Sequence, residues 1–191
     1  MKRGLLGIFL ALVLGASCAT TRPDLPHLRQ VRPNVWASGQ PSDKGFDEFA
    51  AKVDGRAVTV IKLDFESEGS DARARLLGWR VLDRGITPRT DFKGLIEAGE
   101  DVVRLPDANV WGAVVEEIRS IPVVDDGRTV WLIHCVNGND RTNLAVGHVR
   151  VLIDHWGKEA AFDEMVSQGF HWELIGLDRQ WAKLPEPEKG K

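Results

Sequence analysis

The apolar run Val130-Trp131-Leu132-Ile133 passes without a break into His134-Cys135-Val136-Asn137-Gly138-Asn139-Asp140-Arg141-Thr142, and then into Asn143-Leu144-Ala145-Val146-Gly147-His148-Val149. The first run reads as a buried strand and the last as a helix, so a glycine-bearing loop joins a strand end to a helix start. Such a loop aims its own N–H groups, and the unpaired N–H groups of the helix's first turn, at one point. That point is an anion site. Gly138 lets the backbone turn inward with no Cβ in the anion's way. Cys135 supplies a nucleophile at the loop's start, and Arg141 a planar fork for two oxygens at its end. The anion-facing set is then Val136, Asn137, Gly138, Asn139, Asp140 and Arg141. Thr142 can donate its hydroxyl to the Cys135 sulfur, and His134 is expected to orient the loop through backbone contacts rather than act as an acid or base.

The rest of the chain supplies a frame for this run. At 191 residues and a net charge of −3 it is long enough for one domain with a real core, and it lacks the basic balance that a nucleic-acid partner would need. A short strand is expected around Val35 to Ala37, a helix through Phe46, Phe49 and Val53 stopping at Gly55, and a wholly apolar central strand from Ala57 to Leu63. Ser70 should cap a helix from Asp71 to Leu77, followed by a strand from Trp79 to Leu82. Residues 83–107 give no periodicity, and a stretch that long without pattern suggests a functional loop. Val110 to Ile118 reads as an amphipathic helix, and Asp125-Asp126-Gly127 as the turn into the strand that delivers the loop. Beyond the loop, one helix should carry Leu144, Val151, Leu152 and Trp156 on one face and stop at Gly157. A second should run through Ala160, Ala161, Met165 and Val166 to Gly169, and a third through Leu174, Leu177, Trp181 and Leu184. The fold class is therefore α/β: a single domain with a central, mostly parallel sheet of four to five strands flanked by helices. The tryptophans and phenylalanines read as core. His148, His155 and His171 do not fall at zinc-ligand spacing.

Residues 1–18 read as a secretory signal, with Lys2 and Arg3 ahead of an apolar stretch from Leu5 to Leu14. Small residues Gly15, Ala16 and Ser17 lead to Cys18, which fits a bacterial lipoprotein signal; ordinary cleavage after Ala19 is the alternative. Lipid on Cys18 would tether the chain to a membrane surface in the periplasm. Residues 19–30 then form a linker, 31–184 the domain and 185–191 a charged tail. The chain has two cysteines, so loss or lipidation of Cys18 leaves Cys135 as a lone thiol in an oxidising compartment. A cysteine after an apolar strand is ordinarily a packing residue. His134, Gly138, Arg141 and Thr142 at their offsets point the other way.

His-Cys-x5-Arg-Thr, with glycine three residues after the cysteine, resembles the signature of the cysteine-dependent protein tyrosine and dual-specificity phosphatases. Ala37-Ser38-Gly39-Gln40-Pro41-Ser42 resembles the entry segment of bacterial dual-specificity-like members. Ala160-Ala161-Phe162-Asp163-Glu164-Met165, followed by Gly169, resembles their helix after the active loop. The resemblance spans residues 31–182. It implies phosphomonoester hydrolysis through a phosphocysteine on Cys135, with no metal and no other cofactor. The expected substrate is a phosphorylated protein or small phosphomonoester; a phosphoinositide or inositol phosphate, or phosphate binding with little turnover, are alternatives. It further implies an aspartate as general acid. Asp91, Asp101 and Asp107 are the candidates, or none of them acts. Asp91 follows a strand most directly and Asp107 reads as a helix cap, while Asp101, 34 residues before Cys135, sits at an interval usual in the family and is favoured.

Overall fold

The computed structural model describes residues 22–86 and 108–185. Strands β1 (Arg29–Arg32), β2 (Val35–Gly39), β3 (Ala57–Lys62), β4 (Arg80–Asp83) and β5 (Thr129–Cys135) form one sheet in the order β1-β2-β5-β3-β4. All neighbours run parallel except β1 and β2. Helices α1 (Asp43–Val53) and α2 (Ala72–Leu76) contribute to a core on one face of the sheet. Helices α3 (Ala108–Arg119), α4 (Asp140–Leu152), α5 (Lys158–Ser167) and α6 (Ile175–Lys183) contribute to the core on the other.

Why β5 is central follows from its composition. A strand covered on both faces needs apolar side chains at every position, rather than at alternate ones. Val130 and Leu132 enter the core built on Phe46 and Phe49, while Trp131, Ile133 and Cys135 enter the core that includes Leu144 and Val149. Each such side chain, fully buried, contributes roughly 1.5–3 kcal/mol. Helix α4 is likewise buried nearly all round, with ten of its 13 residues inside. Its Gly147 sits so close to α5 that a Cβ would lie 2.3 Å from Met165 Sδ.

Several elements differ from the sequence expectation. β1 begins at Arg29, inside the stretch expected to be a linker; its Arg-Gln-Val-Arg composition places only Val31 in the core, as an edge strand allows. Lys62 interrupts the wholly apolar strand expected at Ala57 to Leu63, yet it is completely buried. Helix α2 is capped at Asp71 rather than Ser70, whose Oγ only accepts from Ala72 N at 3.3 Å. Helix α4 ends at Leu152: the Ile153 and Asp154 N–H groups fold back onto Val149 O, and His155 takes a left-handed φ of 57°. Trp156 is consequently outside the helix and packs under the Arg150 guanidinium, 4.5 Å from the ring centroid, while Gly157 starts α5. Nor are all the aromatics core, since Phe65, Trp156 and Trp172 stand in solvent.

Candidate active site

Parallel strands open a site at their carboxyl ends, and the sheet register puts the relevant residues there in one row. Gly39 of β2 lies opposite Cys135 of β5, and Lys62 of β3 opposite His134. The backbone of 136–139 then turns back over the end of β2. Two glycines interlock at that crossing: a Cβ on Gly138 would meet Gly39 N at 2.6 Å, and one on Gly39 would meet Val136 O at 2.9 Å. Gly138 also takes a φ of 78°, which a side chain would oppose.

Several of the loop's outward-facing groups are held by neighbouring segments. Val136 O accepts from Gln40 N at 3.0 Å and from the Arg22 guanidinium. Asn139 Oδ1 meets His27 Nδ1 at 2.9 Å, and Asp140 Oδ1 accepts from His171 N at 2.9 Å and lies 2.8 Å from His171 Nδ1. Asn137 is exposed. The inward side is the opposite case. Among the described residues, nothing accepts from the main-chain N–H groups of Asn137 through Arg141, and Asn139 caps α4 without a side-chain hydrogen bond. A ring of unpaired donors at a helix N-terminus is an anion cradle.

Cys135, a free thiol 3 % exposed, forms its floor. Thr142 Oγ1 lies 3.1 Å from Cys135 Sγ and 3.3 Å from Ser38 O, so its one proton can serve either. The Arg141 guanidinium is 5 % exposed, and Nη1 donates to Leu63 O at 3.2 Å, Ile86 O at 2.9 Å and Glu68 Oε2 at 2.9 Å. Nη2 donates to Glu68 Oε1 at 3.3 Å. These contacts occupy the Nη1 end and leave Nε–H and one Nη2–H as a two-donor edge. Burial works against the charge of Arg141, but the Glu68 carboxylate outweighs it and holds the guanidinium more firmly protonated than usual. The Glu68 carboxyl, bonded to Arg141, is held below its ordinary range.

His134 makes the backbone contact expected of it and is tied by its ring as well. Its carbonyl accepts from Leu63 N at 2.9 Å, while Nε2 lies 3.0 Å from Asp71 Oδ2. Nδ1 stands 3.4 Å from Asp64 Oδ1, an ion-pair distance rather than a good hydrogen bond. Lys62 Nζ completes the cluster, 3.3 Å from Asp64 Oδ2, 3.5 Å from Asp71 Oδ1 and donating to Gly69 O at 2.6 Å. Gln40 spans it, donating to Asp71 Oδ1 at 3.0 Å and accepting from Lys62 Nζ at 3.2 Å. Burial alone would drive the proton off His134, but the two carboxylates outweigh burial and raise its pKa. Asp71 moves the other way, to about 2: burial opposes its charge, and His134, Gln40 and Lys62 overcome it. With His134 protonated, two positive and two negative charges cancel directly beneath the loop.

Glu68, Asp64, Asp71, Lys62 and Gln40 are the residues that sequence reasoning missed. Their one visible signal is a lysine inside an otherwise apolar strand. Cys18, Asp91, Asp101 and Asp107 lie outside the described residues.

This chain has the fold of the cysteine-dependent phosphatases of the protein tyrosine and dual-specificity type. TpbA of P. aeruginosa matches it with a TM-score of 0.57 at 20% identity, over 84% of this chain and 86% of that one. Tk-PTP in its active form matches with a TM-score of 0.58 at 18% identity, over 83% and 99%. The catalytic domain of the PP-IP phosphatase SIW14 from S. cerevisiae gives 0.55 at 14%, over 83% and 87%. In sequence, the chain is 44% identical to the dual specificity protein phosphatase TpbA of Pseudomonas aeruginosa over 39 residues, which are 20% of this chain and only 18% of that protein's length. No family model matches the chain.

Proposed function

We propose that the protein hydrolyses phosphomonoesters through a phosphocysteine intermediate, with phosphotyrosine in proteins as the leading substrate and phosphoserine or phosphothreonine also accepted. The observation that carries this reading is the run of main-chain N–H groups from Asn137 to Arg141, on the loop that begins at Cys135, for which no acceptor is found among the described residues. Five such donors, with the free edge of Arg141, match the three non-bridging oxygens of a phosphoryl group and stabilise the charge spread over them in the transition state. Cys135 Sγ attacks phosphorus, the ester P–O bond breaks, and the leaving oxygen takes a proton from the general acid, for which Asp101 is the assignment. Water then attacks the P–S bond and gives its proton to that carboxylate, releasing phosphate and restoring the thiolate. Thr142 stabilises the sulfur as it becomes a leaving group. The related TpbA has been solved in complex with phosphotyrosine, which supports this substrate class. Loop positions Val136, Asn137, Asn139 and Asp140 bring no cation to the anion, so a multiply phosphorylated ligand has less to bind.

The place of action belongs to the same proposal: export by residues 1–18 and a lipid on Cys18 that holds the domain at a membrane surface in the periplasm. Its test is palmitate labelling of the full-length protein, and absence of label would remove the tether.

Hydrolysis of an aryl phosphate tests the chemistry. Cys135→Ser is expected to abolish turnover, and Arg141→Lys to lower kcat/KM about a hundred-fold through loss of the two-donor edge. Equal activity of wild type and Cys135→Ser would sink the phosphocysteine. Binding of orthovanadate by a wild type that turns nothing over would make this a phosphate-binding module instead.

A further inference from the structure

Phe65 stands 41 % exposed between β3 and α2, and a lone exposed phenylalanine ordinarily needs no explanation. This one is held in place from two sides, and both holds end on Arg141. On the first side the chain closes a turn: Phe65 O accepts from Glu68 N at 2.8 Å and Gly69 N at 3.3 Å, while Phe65 N donates to Glu68 Oε2 at 2.9 Å. The same carboxylate oxygen receives Arg141 Nη1. On the second side the ring is seated on Gly85, where a Cβ would come within 2.5 Å of Cδ1 and 2.7 Å of Cε1. Gly85 is not among the glycines with a left-handed φ, so the backbone there does not require a glycine; the ring's seat does. The next residue, Ile86, gives its carbonyl to Arg141 Nη1.

We propose that Phe65 is the wall against which the leaving group of the substrate packs, and that it selects aryl phosphates. The inference rests on the phosphatase reading above and names its substrate class. In a phosphotyrosine the ring begins one oxygen away from phosphorus. With the phosphoryl oxygens on the free edge of Arg141, that ring lies close to the guanidinium, which the turn carrying Phe65 and the strand end under the Phe65 ring both grip. Offset or edge-on packing of two rings at centroid separations of about 4.5–7 Å strengthens binding by roughly two- to twelve-fold. An alkyl phosphate presents only a methylene there and gains none of this.

The test compares a ligand that has a ring with one that lacks it, on the full chain. KM is measured for a phosphotyrosine peptide, and the inhibition constant for inorganic phosphate, in wild type, Phe65→Ala, Phe65→Leu and Phe65→Trp. The ratio of KM to the phosphate inhibition constant is expected to rise roughly two- to twelve-fold in Phe65→Ala and less in Phe65→Leu, which guards against a simple loss of fold. Phe65→Trp should keep the ratio near that of wild type. KM should carry the change, because a wall that meets ground state and transition state alike leaves kcat in place. A parallel rise in both constants overturns the assignment, since Phe65 would then act only by holding the turn that grips Arg141. Cys135→Ser separates the two layers: residual turnover in that variant breaks the phosphatase reading, whereas a dead Cys135→Ser with an unmoved ratio breaks only the role of Phe65.

Discussion

His134 and His148 lie on successive elements of one strand-loop-helix unit, both almost wholly buried, and their surroundings push their protons in opposite directions. His134 sits between Asp64 and Asp71 with Lys62 behind, and the two carboxylates raise its pKa despite its burial. His148 sits between the rings of Trp111 and Trp181, at centroid distances of 5.1 and 5.9 Å. Its Nδ1–H donates to Leu144 O at 2.8 Å, and its Nε2 accepts from Trp111 Nε1–H at 3.4 Å. The contact from Trp111 calls for the neutral ring, whereas the Leu144 carbonyl would accept from either form. Burial, with Lys158 and Arg119 adding to it and the Leu144 carbonyl only partly opposing it, pushes its pKa down to about 4. Burial is common to the two, so it does not set the proton count; the partners do. The contrast divides the domain into an end that carries compensated charge beneath an anion loop, and a dry interior that welds α3, α4 and α6 together.

The sharpest way to break that contrast is to remove a carboxylate from the charged end. Asp71→Ala leaves Lys62 and His134 buried with Asp64 alone, and is expected to cost about 3–5 kcal/mol in chemical denaturation. A loss below about 1 kcal/mol would mean that His134 sheds its proton at little expense, and the two histidines would then be alike.

A pH series sharpens the comparison from the other side. His148 has a folded pKa of about 4, below its ordinary 6.5, so its contribution is complete above pH 6.5 and is lost as pH falls towards 4. That limb amounts to roughly 3 kcal/mol. His134 has a raised pKa, so its contribution is complete below pH 6.5 and fades as pH rises through the folded value. Urea midpoints between pH 4 and 9 should therefore fall at both ends. His148→Phe should flatten the acid limb alone. If it leaves that limb unchanged, the neutral histidine is not what limits acid stability.

The two ends also differ in how far they can be read from the chain. Cys135, Gly138, Arg141 and Thr142 are legible because the cradle is one contiguous run, and a strand followed by a glycine loop and a helix start has few other uses. The central strands announce themselves for the same reason, by apolar runs that only a doubly covered sheet can hide. The support beneath the loop is not legible. Gln40, Lys62, Asp64, Glu68 and Asp71 are spread over three segments, and Asp64-Phe65-Glu66-Ser67-Glu68 has the composition of a solvated acidic loop. Only the sheet register, which sets Lys62 against His134, turns those charges inward. β1 escaped notice because an edge strand needs a single inward side chain, too few to make a pattern.

The smallest of the expected effects concerns the point where that acidic loop meets the cradle. Glu68 binds Arg141 through both carboxylate oxygens, while two carbonyls, Leu63 O and Ile86 O, hold the same guanidinium. Glu68→Gln keeps one acceptor oxygen, sets an amide NH2 against the guanidinium and removes the compensating charge. A charge-assisted hydrogen bond of this kind contributes about 1.5–3 kcal/mol, and the two carbonyls should recover part of it. The expected stability loss is therefore about 1–2 kcal/mol, smaller than that of Asp71→Ala. If Glu68 serves chiefly to present the Nε edge of Arg141 to the phosphoryl oxygens, kcat/KM should fall roughly ten-fold, with kcat sharing the loss because that edge matters most in the transition state. Unchanged kinetics with reduced stability would mean that the carbonyls alone aim the guanidinium. Arg141 would then be fixed by neutral partners, as His148 is, and compensated charge would be confined to the cluster around His134.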